Sequence, residues 1–369
     1  MKKAFLYTAL ALVLFFASFV TSYMIMSASS TKQEKTVAVT PMPTPVDDKT
    51  QIPNDGKVRV TISAVGDCTL GTDASFGIGG SFEGELIAND GDYSYFLSKV
   101  KPIFEKDDIT IINLEGPISD KGVKADKQYT FRGPPEYTDI LSLSSVEAAN
   151  LSNNHSMDYG KVAYDDTMSL LSECNISAFG GDDVSVIEVK DIKVGLIGVS
   201  ALEYSQRVNF AKNMEKLKEM NPDIIVASFH WGEEKAIKAN ADQVALAHNA
   251  VDLGADLVIG HHPHVLQGIE KYKGKYIVYS LGNFCFGGNR NPDDKDTMIF
   301  TQTFTFKDGA LTEEENVTVI PCSISSVKER NNFQPIQVKG DEADRIAGKI
   351  VSRSSGYEGI ENVSFLCED

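Results

Sequence analysis

The chain of 369 residues carries a formal charge of -17 and is 42% hydrophobic, a globular composition with material for one large core or two small ones. A balance that acidic repels polyphosphate, so nucleic acid is excluded as a partner. A small anionic substrate is not excluded, because a metal ion outweighs distant carboxylates locally.

Lys2 and Lys3 precede the uncharged run "AFLYTALALVLFFASFVTSYMIM", residues 4–26. As a helix this run is about 35 Å long, against a hydrocarbon core of about 30 Å, and the lysines before it place the N-terminus inside. Residues 1–26 are expected to form a signal anchor or transmembrane helix, single-pass in the cell membrane, with the C-terminal domain extracytoplasmic. A cleaved signal peptide is the alternative, and it leaves the same domain outside the cytoplasm. Residues 27–56, rich in Ser, Thr, Pro, Lys and Asp, read as a flexible stalk. Residues 57–369 read as one folded domain.

Within that domain an apolar run stops repeatedly at a polar or small residue. "KVRVTISAVGD", "DDITIINLEG", "VEAANLSNNHSMDYG", "DIIVASFHWGEE" and "ADLVIGHHPH" all have this form. Between several of them, apolar residues recur at three to four, as in "YGKVAYDDTMSLLSECN" and "ADQVALAHNAVDLG", which predicts helices. Strands alternating with helices make an α/β fold whose functional groups sit on loops at the strand ends. After Gly268 the strands lengthen ("KYIVYSLGNF", "TMIFTQTFTF", "ENVTVIPCSI"), suggesting a second, more antiparallel sheet, and "DEADRIAGKIVSRSS" reads as a closing helix.

The strand ends carry the chemistry. In Gly260-His261-His262-Pro263-His264 the crowded imidazoles are costly unless coordinated or wetted. In an extended segment His262 and His264 point to one side, placed to share a metal or to bind two adjacent ones. In Asn153-Asn154-His155-Ser156-Met157-Asp158, an Asn154 amide oxygen serves divalent metals when imidazoles and carboxylates complete the shell. His155 is placed to donate a proton, with Asp158 orienting it. His230 ends another strand beside Trp231, the single tryptophan, a candidate pocket wall. Asp67 and Glu115 each adjoin a glycine and are oxygen ligands suited to hard cations.

Singly, each unit has an ordinary reading: a polar surface loop, an N-cap, a histidine bonded to a carbonyl, a turn-capping Asp. Together they weigh more, because five of the six histidines lie in strand-end units and His248 alone stands outside. The expectation is a binuclear site able to activate water for hydrolysis. "GIGGSFEGE" lacks the lysine of a phosphate loop, and no G-x-S-x-G is present. The five cysteines contain no Cys-x-x-Cys, up to two disulfides stay open, and Cys68 and Cys285 read as packing residues.

In order and spelling, "AVGDCTLG", "INLEGPIS", "LSNNHSMDYG", "FHWGEE", "IGHHPHVLQG" and "YSLGNFCF" resemble the CapA family of capsule synthesis proteins, relatives of calcineurin-type metallophosphoesterases, over roughly residues 58–300. The resemblance implies a four-layer αββα sandwich with two divalent metals (Mn, Zn or Fe) at one edge. By motif, Asp67 and His264 would bind the first metal and Glu115 would bridge. Asn154, His230 and His262 would serve the second, and His155 would stand as general acid. Asn283 belongs to a family motif near the site without an assigned role, and Asn113 and His261 are further site residues. Two departures are visible. The superfamily's Asp-x-His is Asp67-Cys68-Thr69 here, leaving His261 to compensate for the missing imidazole, and its Gly-Asp-x-x-Asp is Asn113-Leu114-Glu115.

The resemblance implies a membrane-anchored, extracytoplasmic protein of poly-γ-glutamate biosynthesis or export with a metal-dependent hydrolase site. Its partners would be other membrane components of a capsule polymer synthase or exporter. Its substrate would be an anionic polymer or a phosphoester, contacted through the metals and a few basic residues such as Arg132. The alternative is a non-catalytic accessory subunit of the same machinery. An extracellular nucleotidase or phosphodiesterase unrelated to capsule is a third reading.

Overall fold

A computed structural model of the chain describes residues 55–367. The expected transmembrane helix at 1–26 and nearly all of the stalk at 27–56 lie outside the described residues. Among the described residues, no helix is long and apolar enough to cross a membrane.

The chain builds one sheet, leaves it for a second, and returns to the first. β1 (Lys57–Thr69), β2 (Ile109–Leu114), β3 (Ala148–Asn150) and β4 (Ser177–Phe179) lie parallel in that order. β5 (Ser185–Val189), β6 (Ile192–Ser200), β7 (Ile224–His230), β8 (Leu257–His261), β9 (Ile269–Tyr272) and β10 (Lys275–Val278) make the second sheet in the order β5-β6-β7-β8-β10-β9. Its four central strands are parallel and its two edge strands antiparallel. β11 (Asn283–Phe286), β12 (Asp296–Lys307), β13 (Ala310–Ser323), β14 (Ile336–Gln337) and β15 (Ser364–Phe365) then complete the first sheet.

Side chains alternate across each sheet, and both faces are buried. From β1 and β2, Val60, Ile62 and Ile111 share one core with Leu196, Val226 and Ile259 of the second sheet, so the sheets pack face to face. On the outer face of the first sheet, Val65 and Ile112 meet helices α1 (Phe82–Ala88), α2 (Lys101–Phe104), α3 (Thr138–Ser142) and α4 (Lys161–Glu173) through Phe82, Phe104, Leu141 and Leu171. On that of the second, Ile197 and Ala227 meet α5 (Tyr204–Lys218) and α6 (Ala241–Asp252) through Met214 and Ala250. α7 (Gly340–Arg353) contacts β9 and β13, one strand from each sheet, and inserts Ile346 and Ile350 into the shared core.

Two expectations about strands are corrected. The long C-terminal strands do not form a separate sheet, since β12 runs antiparallel to β1 from Lys57↔Lys307 to Val65↔Ile299 and widens the first one. The second sheet is instead made of the middle strands, including those ending at His230 and His261. The single strand expected over "KYIVYSLGNF" is broken at Gly282, with φ 74°, into β10 in one sheet and β11 in the other. A strand's own pattern records that its faces are buried; it does not record which neighbour buries them.

Candidate metal centre

The break at Gly282 brings the two sheets together where the site lies. Asp67 N–H donates to Gly282 O at 2.9 Å, and a Cβ on Gly66 would stand 2.1 Å from that oxygen, so glycine is required for this approach. Asp67, Asn113 and Glu115 then arrive from the ends of β1 and β2, His230 and His261 from the ends of β7 and β8, and Asn283 from the start of β11. Loops supply Asn154, His155, Asp158, His262 and His264. The segment after β8 is not extended as expected, because His262 and His264 have φ of 93° and 57°. Such left-handed geometry in a non-glycine residue costs on the order of 1–3 kcal/mol and persists where the surroundings fix it.

The eleven candidate catalytic and ligand residues lie in one connected set, with Lys127 joining His155 and Asp158 to Asn154. Asp67 is contacted by Asn113 Nδ2 at 2.9 Å, His264 Nδ1 at 3.1 Å and His261 Nδ1 at 3.4 Å, and by the His262 N–H at 3.3 Å. His230 Nε2 lies 2.7 Å from Asn154 Oδ1 and 3.6 Å from Glu115 Oε1. His264 Nδ1 also lies 2.9 Å from Asn283 Oδ1. His155 Nδ1 is 2.7 Å from Asp158 Oδ2. His248 pairs elsewhere, with Glu270 at 2.9 Å and stacked on Tyr272.

The electrostatics divide these groups. Burial opposes the charge of Asp67, but His261 and His264 more than offset it and hold the carboxyl well below its usual range. Burial, reinforced by the Asp67 charge, pushes Glu115 up to about 8. Burial also acts against His264, yet Glu115 and Asp67 raise it to about 9. His262 falls to about 4, through burial and then the charge of His264. Burial lowers His230 well below its ordinary value, and His155 below its own against the pull of Asp158.

The donor set fits a cation. Glu115 Oε1, His261 Nε2 and His262 Nδ1 are buried without a hydrogen-bond partner. Unpartnered buried polar atoms are costly, and lone pairs left open in this way fit a cation as ligand. Two clusters have ligand atoms within 4.8 Å of one another: Asp67, Glu115 and His230, and Glu234, His262 and His264. This grouping differs from the motif assignment, which split Asp67 from His230 and joined His230 to His262.

Three residues of the site carried no assigned role in the sequence. Asn150, fully buried, donates from Nδ2 to Asn113 Oδ1 at 2.9 Å. Lys127 donates to Asp158 Oδ1 at 2.6 Å and to Asn154 O at 2.8 Å. Glu234 completes the second cluster. Asn150 sits one residue before the "LSNNH" motif and Glu234 ends "FHWGEE", so proximity was their available signal; Lys127, in a polar loop, had none. Two other expectations are corrected. Trp231 does not wall a pocket: it is buried, stacked on Phe229, and donates to Tyr279 O at 2.9 Å. Arg132 does not face the site but lies over the Tyr159 ring at 3.7 Å and donates to Lys121 O. The five cysteines are unpaired.

Comparison with known proteins adds independent findings. The sequence pattern of the family described as "Bacterial capsule synthesis protein PGA_cap" matches residues 61–288. "Capsule biosynthesis protein CapA" of Bacillus anthracis is 31% identical over 265 residues, covering 64% of this chain and 62% of that protein. "PGA biosynthesis protein CapA" of Bacillus subtilis (strain 168) is 33% identical over 211 residues, covering 51% and 55%. A "Probable polyglutamine synthesis accessory protein" of Mycobacterium tuberculosis (strain CDC 1551 / Oshkosh) is 29% identical over 258 residues, covering 60% and 67%. The matched region thus spans 62% and 55% of the lengths of the two Bacillus relatives.

Proposed function

The chain belongs to the PGA_cap family of bacterial capsule synthesis proteins, and on that premise we propose that it serves poly-γ-glutamate capsule synthesis or export as a membrane-anchored, extracytoplasmic protein with a metal-dependent hydrolase site. The relatives' names support the pathway. Residues 4–26 support the anchor. Two sheets packed face to face between outer helices support a metallophosphoesterase-like αββα arrangement. The hydrolase reading is carried by one observation: two clusters of possible ligands, Asp67 with Glu115 and His230 and Glu234 with His262 and His264, in which Glu115 Oε1 and His262 Nδ1 are buried without a hydrogen-bond partner.

Asp67, Glu115 and His230 would hold one divalent cation, with Asn154 beside His230, and Glu234, His262 and His264 a second; manganese, zinc and iron suit such mixed donors. When bound, the cations would supply Lewis acidity toward a phosphoryl or acyl oxygen. The chain's own residues do the rest. Asn113 fixes Asp67 by donating from Nδ2 to Asp67 Oδ1, and Asn150 fixes Asn113. Asp158, itself held by Lys127 and by the Phe131 N–H at 2.7 Å, engages His155 Nδ1 and leaves Nε2 as the nitrogen that hands a proton to a leaving group.

A second reading, a non-catalytic accessory subunit, is favoured by the Asp67-Cys68-Thr69 departure from Asp-x-His. Metal content decides between them. The full chain, purified in detergent and dialysed, is measured by mass spectrometry beside His262→Ala. About two metals per chain, halved or lost in the variant, support the binuclear site. No metal in the wild type after reloading with manganese, zinc or iron ends the hydrolase reading and leaves the accessory one.

A further inference from the structure

A cleft of about 850 Å³ opens beside the metal centre, beginning at His155, His264 and Asn283. It is far larger than a phosphoryl group needs, and much of its lining is aromatic. Phe131 packs against His155 with 4.3 Å between ring centres, and Phe286 against His264 at 5.0 Å. Farther out, Phe76 and Tyr129 meet edge to face at 6.2 Å, and the Arg290 guanidinium stands 5.4 Å above the Phe76 ring. Tyr129 is 46% exposed and lines the cleft. The cations on the lining are Lys235 and Arg290; of its carboxylates, Glu234 belongs to the second cluster and Asp294 is paired with Lys349 at 3.1 Å.

Two lining cations offer little to the repeated carboxylates of an extended polyacid. The cleft suits a ligand with one anionic group, seated at the centre, and a planar ring, stacked on an aromatic side chain. Resting on the hydrolase reading above, we propose that the cleft binds a nucleotide-type phosphoester, with the phosphoryl group at the centre, the base on Tyr129, and Arg290 beside it. The oxygen of water forms the new P–O bond and the ester P–O bond breaks. The proton that water releases replaces the one His155 gives to the departing ester oxygen. The products are a nucleoside and inorganic phosphate.

The test uses the full chain in detergent with Mn²⁺, and three probes: AMP, glycerol 3-phosphate and a γ-linked glutamate oligomer. Binding is read by titration calorimetry and turnover by phosphate release. AMP is expected to bind about tenfold more tightly than glycerol 3-phosphate. Tyr129→Ala should remove that advantage, raising the KM for AMP about tenfold and leaving glycerol 3-phosphate unchanged. Arg290→Gln should act in the same direction. Equal binding of the two phosphoesters, or a glutamate oligomer that displaces AMP and loses its hold in Tyr129→Ala, overturns the proposal. AMP binding that depends on Tyr129, without phosphate release, keeps the ligand class and ends the hydrolase reading instead.

Discussion

Asn150 shows how a residue with no chemistry of its own governs one that has it. Its Nδ2 occupies Asn113 Oδ1, so the Asn113 amide must present Nδ2 to Asp67. Gly198 makes room for it, since a Cβ there would lie 2.0 Å from Asn150 Oδ1. Outer contacts of this kind are worth about 10–100-fold in metal affinity. Asn150→Ala should weaken Mn²⁺ binding by about that factor in calorimetry, and Gly198→Ala should move it the same way; unchanged affinity in both would remove Asn150 from the positioning network. His155 belongs to the other half of the site. His155→Ala should retain metal and lower turnover by about 10²–10⁴, as loss of a general acid does. In cells, lost polymer production with intact folding supports catalysis, and unchanged production supports the accessory reading.

Among the elements, α7 is held by an ionic clasp as well as by Ile346 and Ile350. Arg345 donates to both Asp296 oxygens at 2.7 Å, and Lys349 reaches the same carboxylate. Burial works against the Asp296 charge, and these two cations more than offset it, so the carboxyl lies below its ordinary value. A depressed carboxyl contributes stability that is present above its unfolded pKa, about 4, and is lost as pH falls below it through the folded value. The wild-type melting temperature should therefore drop between pH 5 and pH 3. Asp296→Asn should show a smaller drop from a lower start, with about 1–3 kcal/mol lost at pH 7, a range discounted because Arg345 is half exposed. Parallel pH curves for the two proteins would show that the clasp is not coupled to folding. The clasp also illustrates what was legible at this scale: the helix could be read from "DEADRIAGKIVSRSS", while its anchor on Asp296 joins segments far apart in the chain.

For the molecule as a whole, the centre is the meeting point of both sheets, so a cation there would tie them together. Ligand binding to the folded state adds about 2.7 kcal/mol at a hundredfold excess over Kd. Chelation should accordingly lower the melting temperature of the wild type and leave that of His262→Ala nearly unchanged. A wild type indifferent to chelator and to added Mn²⁺ would count against any structural or catalytic metal.

The sequence by itself determined which polar side chains stand at the ends of its apolar runs. Asp67, Glu115, Asn154, His155, His230, His262 and His264 stand at or just after the ends of apolar runs because charged and strongly polar groups are costly along a buried strand and collect near where it stops. That signal is local, one run and the residue after it, and it survives without knowledge of any neighbour. The tertiary structure decided everything that depends on pairing. It put β12 beside β1 and sent β10 and β11 to different sheets. It turned His262 and His264 into left-handed conformations, and it added Asn150, Lys127 and Glu234 to the network. It also took Trp231 into the core and folded Arg132 onto Tyr159. These outcomes follow from long-range packing, in which many partners can bury the same apolar face and the lowest free energy of the whole chain selects one.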